Sequence, residues 1–327
     1  MTLLKEEEAA ARELLSGGVV VLPTETVYGL AGSALNEAAV RKIFAVKERP
    51  FFDPLIIHVA NFGWLERYTQ LTSLSLNVKA LVEAFWPGPL TLVMPKKEII
   101  PNIVTADKPT VAVRCPRHPI FQAVLERVQE PLAAPSANPF GYVSPTCAEQ
   151  VRQTLGKRVP IILDGGPCQV GVESTILDIS GKCPRILRPG AITADMVADV
   201  IHQPVEDYVP TTAVKNPTVP GQLKQHYCTH TPLKLFPHGK VPVCPVGQKV
   251  AVVFNAPVAK EDFPADGRDI FALSEHGDRQ EMARNLFAVL QRLDQKGYDI
   301  IFCEYPERID VGIAICDRLE RSAAKFL

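Results

Sequence analysis

The sequence predicts an α/β fold: a twisted mixed sheet with flanking helices, followed by a second, small α/β domain. Three observations indicate this. Short apolar runs alternate with amphipathic segments up to about residue 200, eight prolines crowd the stretch from Pro204 to Pro245, and the alternation resumes after it. With 327 residues, the chain is long enough for two domains of about 100–200 residues each.

The helices and strands of the first part follow from periodicity and from the residues that end each segment. Leu4 to Leu15 has the helical apolar period and runs into Gly17-Gly18, which favours a left-handed C-cap. Pro23 ends the apolar run after it, and Asn36 is a typical N-cap. The same reasoning predicts helices at 4–15, 36–46, 73–85, 119–128, 147–155 and 193–200, and strands at 19–22, 55–59, 90–94, 110–114, 160–163, 175–179 and 185–187.

A proline-rich linker is predicted at 205–245, between a first domain at 1–204 and a second at 246–327. Each proline removes an amide donor and fixes φ, so a regular helix or a central strand is unfavourable there. From Val209 to Val250 the chain carries five lysines but no Asp or Glu. A solvated linker usually mixes both signs, so this composition raises the chance that the segment lies over something anionic; a plain solvated linker is the alternative.

The second domain has the alternating order that is typical of an open parallel sheet. We predict strands at 249–254, 269–273 and 299–303, and helices at 281–295 and 311–325. The domain lacks a GxGxxG turn, so its fold alone does not predict a nucleotide site.

Composition excludes one class of partner. Lys and Arg total 35 against 36 Asp and Glu, a formal net charge of -1, which argues against a protein that binds long polyanions with its whole surface. The eight cysteines form no CxxC pair, so we expect reduced thiols rather than a zinc site or a disulfide framework. We find no secretory signal and no apolar run of about 18 residues, so we expect a cytoplasmic protein without a membrane partner.

Four polar segments lie at predicted strand ends, where α/β proteins bind ligands. The motifs GxxxxGK[ST], GxGxxG, GxSxG and HExxH are absent from the sequence, so a nucleotide would be held in another way. The first segment, PTETVYGL at 23–30, carries two hydroxyls, a carboxylate and a phenol; a plain turn is the alternative. The second, KERPFFDP at 47–54, is stiffened by two prolines, which favours an anion clamp over a solvated charged face.

The other two segments complete the candidates. Arg114 ends a predicted strand on the same face as Thr110, and a buried arginine needs a carboxylate or phosphate partner. His58, alone on its strand, is more often a core residue than a catalyst. The segment 133–144 has small residues that let a backbone approach a ligand, and three neutral donors: Ser136, Asn138 and Ser144. Four cations at strand ends are enough for one triphosphate: Lys47, Arg49, Arg114 and Arg188.

Seven blocks, in this order, resemble the threonylcarbamoyl-adenylate synthases, whose catalytic domain is of the YrdC type. They are GGVVVLPTETVYGL (17–30), KERPFFDPLIIHV (47–59), WPGPLTLVM (86–94), TVAVRCP (110–116), APSANPFGYVSPT (134–146), GVESTILD (171–178) and ILRPGAI (186–192). PGQLKQHY at 220–227, followed by a small α/β lobe, is similar to the long, two-domain form of the family. The resemblance implies a YrdC-type catalytic domain, a linker that acts as a lid and a Rossmann-like accessory domain.

The resemblance also implies an activity and a set of site residues. The family combines L-threonine, bicarbonate or CO₂, and ATP into threonylcarbamoyl-adenylate and pyrophosphate, for a tRNA modification; Mg²⁺ is expected with the ATP. Positions that match threonine-binding residues are Thr26, His58, Arg114, Ala134 and Ser174. Positions that match ATP-binding residues are Arg49, Asp53, Thr110, Ser136, Ser144, Arg188 and Tyr227. The family's catalytic Lys-Arg-Ser-Asn set matches Lys47, Arg49, Ser136 and Asn138, and no metal ligand is assigned.

Asp53 departs from the family pattern, since many relatives have Asn there. Beside a triphosphate its charge needs a cation partner, or a role in holding Mg²⁺. In the implied mechanism, a carbamate of threonine attacks the α-phosphorus of ATP, and the protein positions the reactants and neutralises charge. Tyr227 would cover the nucleotide, and the lysines of the linker would close over the phosphates.

Other expectations concern partners and rival functions. Transient contacts with tRNA and with the threonylcarbamoyl-transferase machinery are expected from the fate of the product. Two alternatives stay open: an RNA-binding module with a groove for a phosphate backbone, and a nucleotide-sensing regulator without synthase activity.

Overall fold

The computed structural model describes residues 3–70, 75–210, 217–259 and 267–326. Within these ranges, eight strands form one mixed sheet in the spatial order β1-β2-β6-β3-β5-β4-β7-β8. These strands are β1 (Val20–Leu22), β2 (Gly29–Ser33), β3 (Ile56–His58), β4 (Leu90–Pro95), β5 (Thr110–Arg114), β6 (Leu132–Ala133), β7 (Thr175–Asp178) and β8 (Arg185–Arg188).

Helices pack against this sheet and bury its apolar strands. They are α1 (Leu3–Leu15), α2 (Glu37–Lys47), α3 (Leu65–Tyr68), α4 (Ser75–Phe85), α5 (Asn102–Thr105), α6 (Pro119–Val128), α7 (Ala148–Thr154) and α8 (Ala194–Ile201), with 3-10 turns at Phe62–Trp64 and Gly156–Arg158. Asn36 caps α2 as predicted, because its side chain accepts hydrogen bonds from the amides of Ala38 and Ala39.

A second sheet lies in the last part of the chain. Its strands, β9 (Leu233–Phe236), β10 (Val250–Phe254), β11 (Asp269–Ala272) and β12 (Ile300–Glu304), are parallel and ordered β11-β10-β12-β9. Two helices follow its strands, α9 (Arg279–Asp294) and α10 (Gly312–Ala323). Apolar side chains of α9 and α10 share a core with Val27, Tyr142 and Val172 from loops of the first sheet. The two helices therefore lie against those loops.

The predicted fold class is confirmed, and the differences are local. The strand predicted at 160–163 is wrong: Ile162 forms only an isolated bridge with Val21 of β1. Pro160 lacks an amide donor and Gly165-Gly166 follow closely, so the pairing does not extend. Strands β2, β6 and β9 were not predicted. β2 has the sequence GLAGS, β6 has two residues, and β9 lies inside the predicted linker, on a proline-free stretch at the sheet edge.

Two further points concern the predictions. The predicted start of the helix at Ser73 lies outside the described residues, and the described part of that helix begins at Ser75. Across the described ranges, we find no helix with both the length and the apolar character that crossing a membrane requires.

Candidate active site

The register of the first sheet brings several predicted site residues to one place. His58, the last residue of β3, lies opposite Arg114, the last residue of β5. β4 runs antiparallel to β5, so Thr91 near its start lies on the other side of Arg114. β7 starts beside β4, which brings the preceding Ser174 to the same place, and β8 ends there with Arg188.

A cavity of about 40 Å³ lies over this face of the sheet. Eight predicted site residues line it: Arg49, His58, Arg114, Ala134, Ser136, Ser174, Arg188 and Tyr227. Thr26, Lys47, Asp53, Asn138 and Ser144 are buried but do not line it. Thr110 lies at the opposite end of β5 from Arg114, roughly 13 Å along the strand at about 3.3 Å per residue, but on the same face.

We divide the site into two halves by their central arginines. The Arg114 half comprises Thr26, His58, Arg114, Ala134 and Ser174. The Arg49 half comprises Lys47, Arg49, Asp53, Ser136, Asn138, Ser144, Arg188, His226 and Tyr227.

In the Arg114 half, the arginine is held by a carboxylate that is itself fully bonded. Nη2 of Arg114 lies 2.8 Å from Oε1 of Glu25, and its Nε donates to the Gly88 carbonyl. The other oxygen of Glu25 accepts the backbone amide of Arg117 at 3.0 Å. Burial acts to raise the pKa of Glu25, but the charge and hydrogen bond of Arg114 hold it below its ordinary value. Arg114 is thus fixed with part of its guanidinium towards the cavity.

His58 in the same half is neutral. Burial, with the nearby charge of Arg114, lowers the pKa of His58 to about 3. Its Nδ1 lies 3.3 Å from the Leu132 carbonyl, so the proton belongs on Nδ1 and Nε2 is left as an acceptor. The hydroxyls of Ser174 and Thr91 are 2.8 Å apart. The half therefore combines one cation with neutral hydrogen-bonding groups.

In the Arg49 half, a helix end positions the cations. Lys47 is the last residue of α2, and Glu48 turns the chain with a left-handed φ of 56°. Nζ of Lys47 donates to the carbonyls of Ser136 and Asn138 at 2.5 and 2.6 Å, which ties the loop after β6 to the helix. Burial, aided by the neighbouring Arg49 charge, places the pKa of Lys47 well below its ordinary value.

Arg49 is paired with the residue that departs from the family pattern. Its Nη2 lies 2.9 Å from Oδ2 of Asp53 and also donates to the Pro54 carbonyl. Burial raises the pKa of Asp53, although the Arg49 charge opposes the rise. The cation partner that Asp53 needs is therefore present in the same loop.

Arg188 is fixed through backbone and hydroxyl groups. Its Nη2 donates to the carbonyl and the hydroxyl of Ser174 at 3.0 and 3.1 Å, and its Nη1 reaches the Pro220 carbonyl at 3.4 Å. Ser144 donates to Oε1 of Glu173 at 2.6 Å. Arg188 thus touches both halves of the site and the linker.

The linker covers the cavity with Pro220, Gly221, His226 and Tyr227. Tyr227 has a left-handed φ of 62°, and its ring stacks on Phe287 of α9. Gly221 has a φ of 87°, and a Cβ there would lie 2.8 Å from the Tyr227 hydroxyl, so only glycine allows this approach. Among the linker lysines that the structure describes, none lines the cavity; Lys215 lies outside the described residues.

Unpartnered polar atoms are concentrated in one half. The buried atoms without a hydrogen-bond partner include Oδ1 of Asp53, Oδ1 of Asn138, Nδ1 of His226 and the Tyr227 hydroxyl. All four belong to the Arg49 half, and in the described ranges the Arg114 half contributes none. A buried polar atom without a partner is unfavourable, so the Arg49 half has the character of a site awaiting a ligand.

The sequence reasoning missed three residues that shape the site: Glu25 as the partner of Arg114, Glu173 as the partner of Ser144, and Arg318 of α10. Nε of Arg318 lies 2.9 Å from Oε2 of Glu173. A signal for Arg318 was available, because it falls on the apolar face of α10 with Ile315 and Leu319. A charge on the buried face of an amphipathic helix indicates a buried partner.

Comparisons with known proteins identify the family. A family model described as "Telomere recombination" and named for Sua5, YciO and YrdC matches residues 12–190, and one described as "Threonylcarbamoyl-AMP synthase, C-terminal domain" matches residues 192–324. The threonylcarbamoyl-AMP synthases of Pyrococcus abyssi and Bacillus subtilis are 37% and 36% identical to this chain. The P. abyssi alignment covers 96% of this chain and 93% of the relative, and the B. subtilis alignment covers 96% and 92%.

Solved structures agree with the sequence comparisons. The crystal structure of P. abyssi Sua5 complexed with L-threonine has a TM-score of 0.87 and 34% identity, and covers 99% of this chain and 95% of that chain. A variant of P. abyssi Sua5 with a histidine and the following tyrosine replaced by alanine has a TM-score of 0.86 and covers 98% and 93%. The chain therefore belongs to the Sua5, YciO and YrdC family, in the form that carries the threonylcarbamoyl-AMP synthase C-terminal domain.

Proposed function

We propose that this chain is an L-threonylcarbamoyladenylate synthase, which forms threonylcarbamoyl-AMP and pyrophosphate from L-threonine, bicarbonate or CO₂, and ATP. The names of the P. abyssi and B. subtilis relatives support the activity. The observation that carries the proposal is the convergence of three buried arginines, Arg49, Arg114 and Arg188, on one cavity next to neutral hydroxyl and imidazole groups.

The Arg114 half is proposed to bind threonine. A guanidinium held by Glu25 can form a charge-assisted pair with the α-carboxylate. Nε2 of His58 and the hydroxyls of Ser174 and Thr26 offer neutral partners for the ammonium or the side-chain hydroxyl. Ala134, which also lines the cavity, has a side chain small enough to leave room for the ligand.

The Arg49 half is proposed to bind ATP. Lys47, Arg49 and Arg188 would neutralise the phosphates, Ser136 and Ser144 would offer neutral hydroxyls, and Oδ1 of Asn138 would accept a hydrogen bond, since its amide nitrogen already donates to the carbonyls of Pro139 and Tyr142. A cavity of about 40 Å³ is far too small for a nucleotide, whereas binding pockets for drug-sized ligands span about 300–1,000 Å³. ATP binding therefore requires that the linker move.

We propose the segment 205–245 as this moving lid, between a catalytic domain at 1–204 and an accessory domain at 246–327. Val219 packs on the apolar sheet face formed by Ile56, Ala112 and Leu187. That face leads towards Thr110, so the lid covers the surface along which the nucleotide would lie. In the P. abyssi variant an adjacent His–Tyr pair is replaced, and His226-Tyr227 is such a pair in this lid.

The proposed reaction has two steps. The threonine amine attacks the carbon of CO₂ and loses a proton, which gives a carbamate. A carbamate oxygen then attacks the α-phosphorus in line, and the bond from that phosphorus to the β,γ-phosphate oxygen breaks with release of pyrophosphate. The side chains act by positioning and by neutralising charge, since His58, with a pKa of about 3, is too weakly basic to remove the proton efficiently.

Mg²⁺ is proposed to arrive with ATP. The described residues contain no group of three or more His, Cys, Asp and Glu that could hold a metal ion by themselves. One unpartnered carboxylate oxygen, Oδ1 of Asp53, fits the usual pattern in which Mg²⁺ takes one or two carboxylates and the substrate phosphates. Asp53 would hold the ion, which supplies further neutralisation of phosphate charge when bound.

Other partners and the location remain proposals. Transfer of the product to tRNA implies transient contact with tRNA or the transferase machinery, and a cytoplasmic location. RNA binding as the main function is less favoured, because the buried cations line a closed cavity rather than an open groove for a phosphate backbone.

The test is an assay of pyrophosphate release with ATP, bicarbonate and threonine. We expect release that depends on threonine, and Arg49→Ala should lower it by at least about 100-fold, the scale of losing one preorganised charge donor. Arg41→Ala is the matched control, since Arg41 is exposed and, in the part of the chain that the structure describes, pairs with Glu37 and the Phe51 ring. ATP binding without release would support the sensor alternative, and wild-type release by Arg49→Ala would refute the site.

A further inference from the structure

Arg318 carries a buried charge from the accessory lobe into the catalytic domain. It lies on α10 and its side chain is fully buried. Nε lies 2.9 Å from Glu173, Nη2 donates to the Pro189 carbonyl at 3.0 Å, and Nη1 pairs with Asp317 at 2.8 Å. All three branches of the guanidinium are therefore used, two of them on loops of the first sheet.

Each of these loops supports a residue of the Arg49 half, and the Glu173 loop also carries Ser174 of the Arg114 half. Glu173 accepts the Ser144 hydroxyl with its other oxygen, so Arg318 and Ser144 share one carboxylate. Pro189 directly follows Arg188, so the bond to its carbonyl fixes the backbone that carries that arginine. The guanidinium carbon also lies 5.2 Å from the centroid of the Tyr227 ring, within range of a cation–π contact.

The next turn of α10 extends the arrangement to the linker. Arg321 donates to the Leu223 carbonyl at 2.6 Å and to the Tyr208 hydroxyl at 2.7 Å, and pairs with Asp317. One face of α10 thus contacts the linker, the loop of Glu173, which accepts the Ser144 hydroxyl, and the loop that carries Arg188. The Arg114 half has separate support, from Glu25 and the Gly88 carbonyl.

We propose that Arg318 is a positioning residue for the nucleotide subsite: through Glu173 and the Pro189 carbonyl, the accessory lobe orients Ser144 and Arg188. This inference rests on the proposed ATP site. Arg318 does not line the cavity, so it acts through other residues and not on substrate. Through Arg318, the accessory lobe would contribute to nucleotide binding although it binds no ligand itself.

The test compares Arg318→Met, Arg318→Lys, Glu173→Gln and the double variant Arg318→Met/Glu173→Gln. ATP dissociation constants are measured by calorimetry, and KM values for ATP and threonine by pyrophosphate release. Arg308→Met is the control, because Arg308, an exposed arginine that precedes α10, is paired with Glu320 of that helix. Thermal unfolding of each variant shows whether it is folded.

We expect Arg318→Met to weaken ATP binding about tenfold, the usual scale for losing an outer-shell partner of a ligand-binding group. Threonine KM should change by less than about threefold, because Arg114 is held separately. Arg318→Lys should recover only part of the loss, since an ammonium cannot reproduce the three-branched pattern. Both changes break the same contact, between Arg318 and Glu173. The ATP dissociation constant of the double variant should therefore be no larger than that of the single variant that binds ATP more weakly.

Equal weakening of ATP and threonine binding, or additive losses in the double variant, would indicate a merely structural role and overturn the proposal. So would wild-type ATP binding by a folded Arg318→Met protein. If that variant does not fold, Arg318→Lys and Glu173→Gln give the same comparison. ATP binding without pyrophosphate release in the wild type would refute the proposed function, while the calorimetry would still decide the role of Arg318.

Discussion

The two halves of the candidate active site differ in how completely their polar groups are bonded. In the Arg114 half, Glu25 holds the arginine, Leu132 fixes the His58 tautomer and Thr91 holds Ser174. In the Arg49 half, four residues keep buried polar atoms that have no hydrogen-bond partner within the described ranges, and two of these residues, His226 and Tyr227, belong to the linker.

The contrast implies that the two halves differ in how far they are pre-organised for a ligand. The Arg114 half is built before any ligand arrives, so a small amino acid can bind with little rearrangement. The Arg49 half is filled by the protein's own chain, so under the proposed function a nucleotide would have to displace the proposed lid and bond the unpartnered atoms. Buried, unsatisfied groups in the closed state lower the cost of opening it.

The largest effect is expected from Arg114→Met. The change leaves the buried carboxylate of Glu25 without its cation, which should lower the free energy of unfolding by about 3–5 kcal/mol. The double variant Glu25→Gln/Arg114→Met should regain much of that stability, yet bind threonine no better. Chemical denaturation and threonine titration measure the two quantities. The exposed arginine of the Arg185–Asp178 pair provides a control, Arg185→Met, with a loss of at most about 1 kcal/mol.

A stable Arg114→Met protein, or threonine binding restored in the double variant, would contradict the description of this half. The first result would mean that the pair contributes little to folding. The second would mean that the carboxylate of threonine is bound elsewhere.

How far the sequence predicts this site depends on the range of the contacts. Arg114 at the end of an apolar strand, and the cap at Asn36, are local features that a pattern can indicate. Glu25, in the loop between β1 and β2, and Arg114, at the end of β5, are 89 positions apart and meet through the fold of the sheet, in which β2, β6, β3 and β5 are successive neighbours. No local pattern carries that information.

The linker shows a different limit. Its prolines correctly indicated irregular structure over most of the linker residues that the structure describes, and its lysines suggested an anionic ligand. The structure instead covers the cavity with neutral residues, because burying an uncompensated lysine is costly while His226 and Tyr227 can be buried uncharged. Strand β9 formed there because a short proline-free stretch meets an open edge next to β12.

The second prediction concerns pH. His58 has a folded pKa of about 3, below its ordinary value of about 6.5, so the unfolded chain binds more protons between these values. The contribution of neutral His58 to the free energy of unfolding is fully present above pH 6.5 and is lost as the pH falls towards 3. Between pH 7 and pH 5, the free energy of unfolding of the wild type should therefore fall by about 2 kcal/mol more than that of His58→Gln.

Denaturation of both proteins at the two pH values measures the difference. His226 has a pKa lowered by burial in the same direction and is present in both proteins, so its contribution cancels. Parallel losses in wild type and His58→Gln would show that His58 is protonated in the folded protein, and would remove the neutral acceptor from the Arg114 half.

The smallest effect is expected from Tyr227→Phe. The Tyr227 hydroxyl is buried and has no hydrogen-bond partner among the described residues, so its removal should raise the free energy of unfolding of the ligand-free protein by about 1 kcal/mol. Tyr28→Phe is the matched control: that hydroxyl donates to the Gly166 carbonyl at 2.7 Å and accepts the Gly165 amide at 3.0 Å, so its loss should destabilise by about 1–2 kcal/mol. Opposite signs from the same chemical change are the signature of a lid held closed with a polar group unpaired. If Tyr227→Phe instead destabilises like Tyr28→Phe, the hydroxyl is already bonded in the closed state, and the Arg49 half is as complete as the Arg114 half.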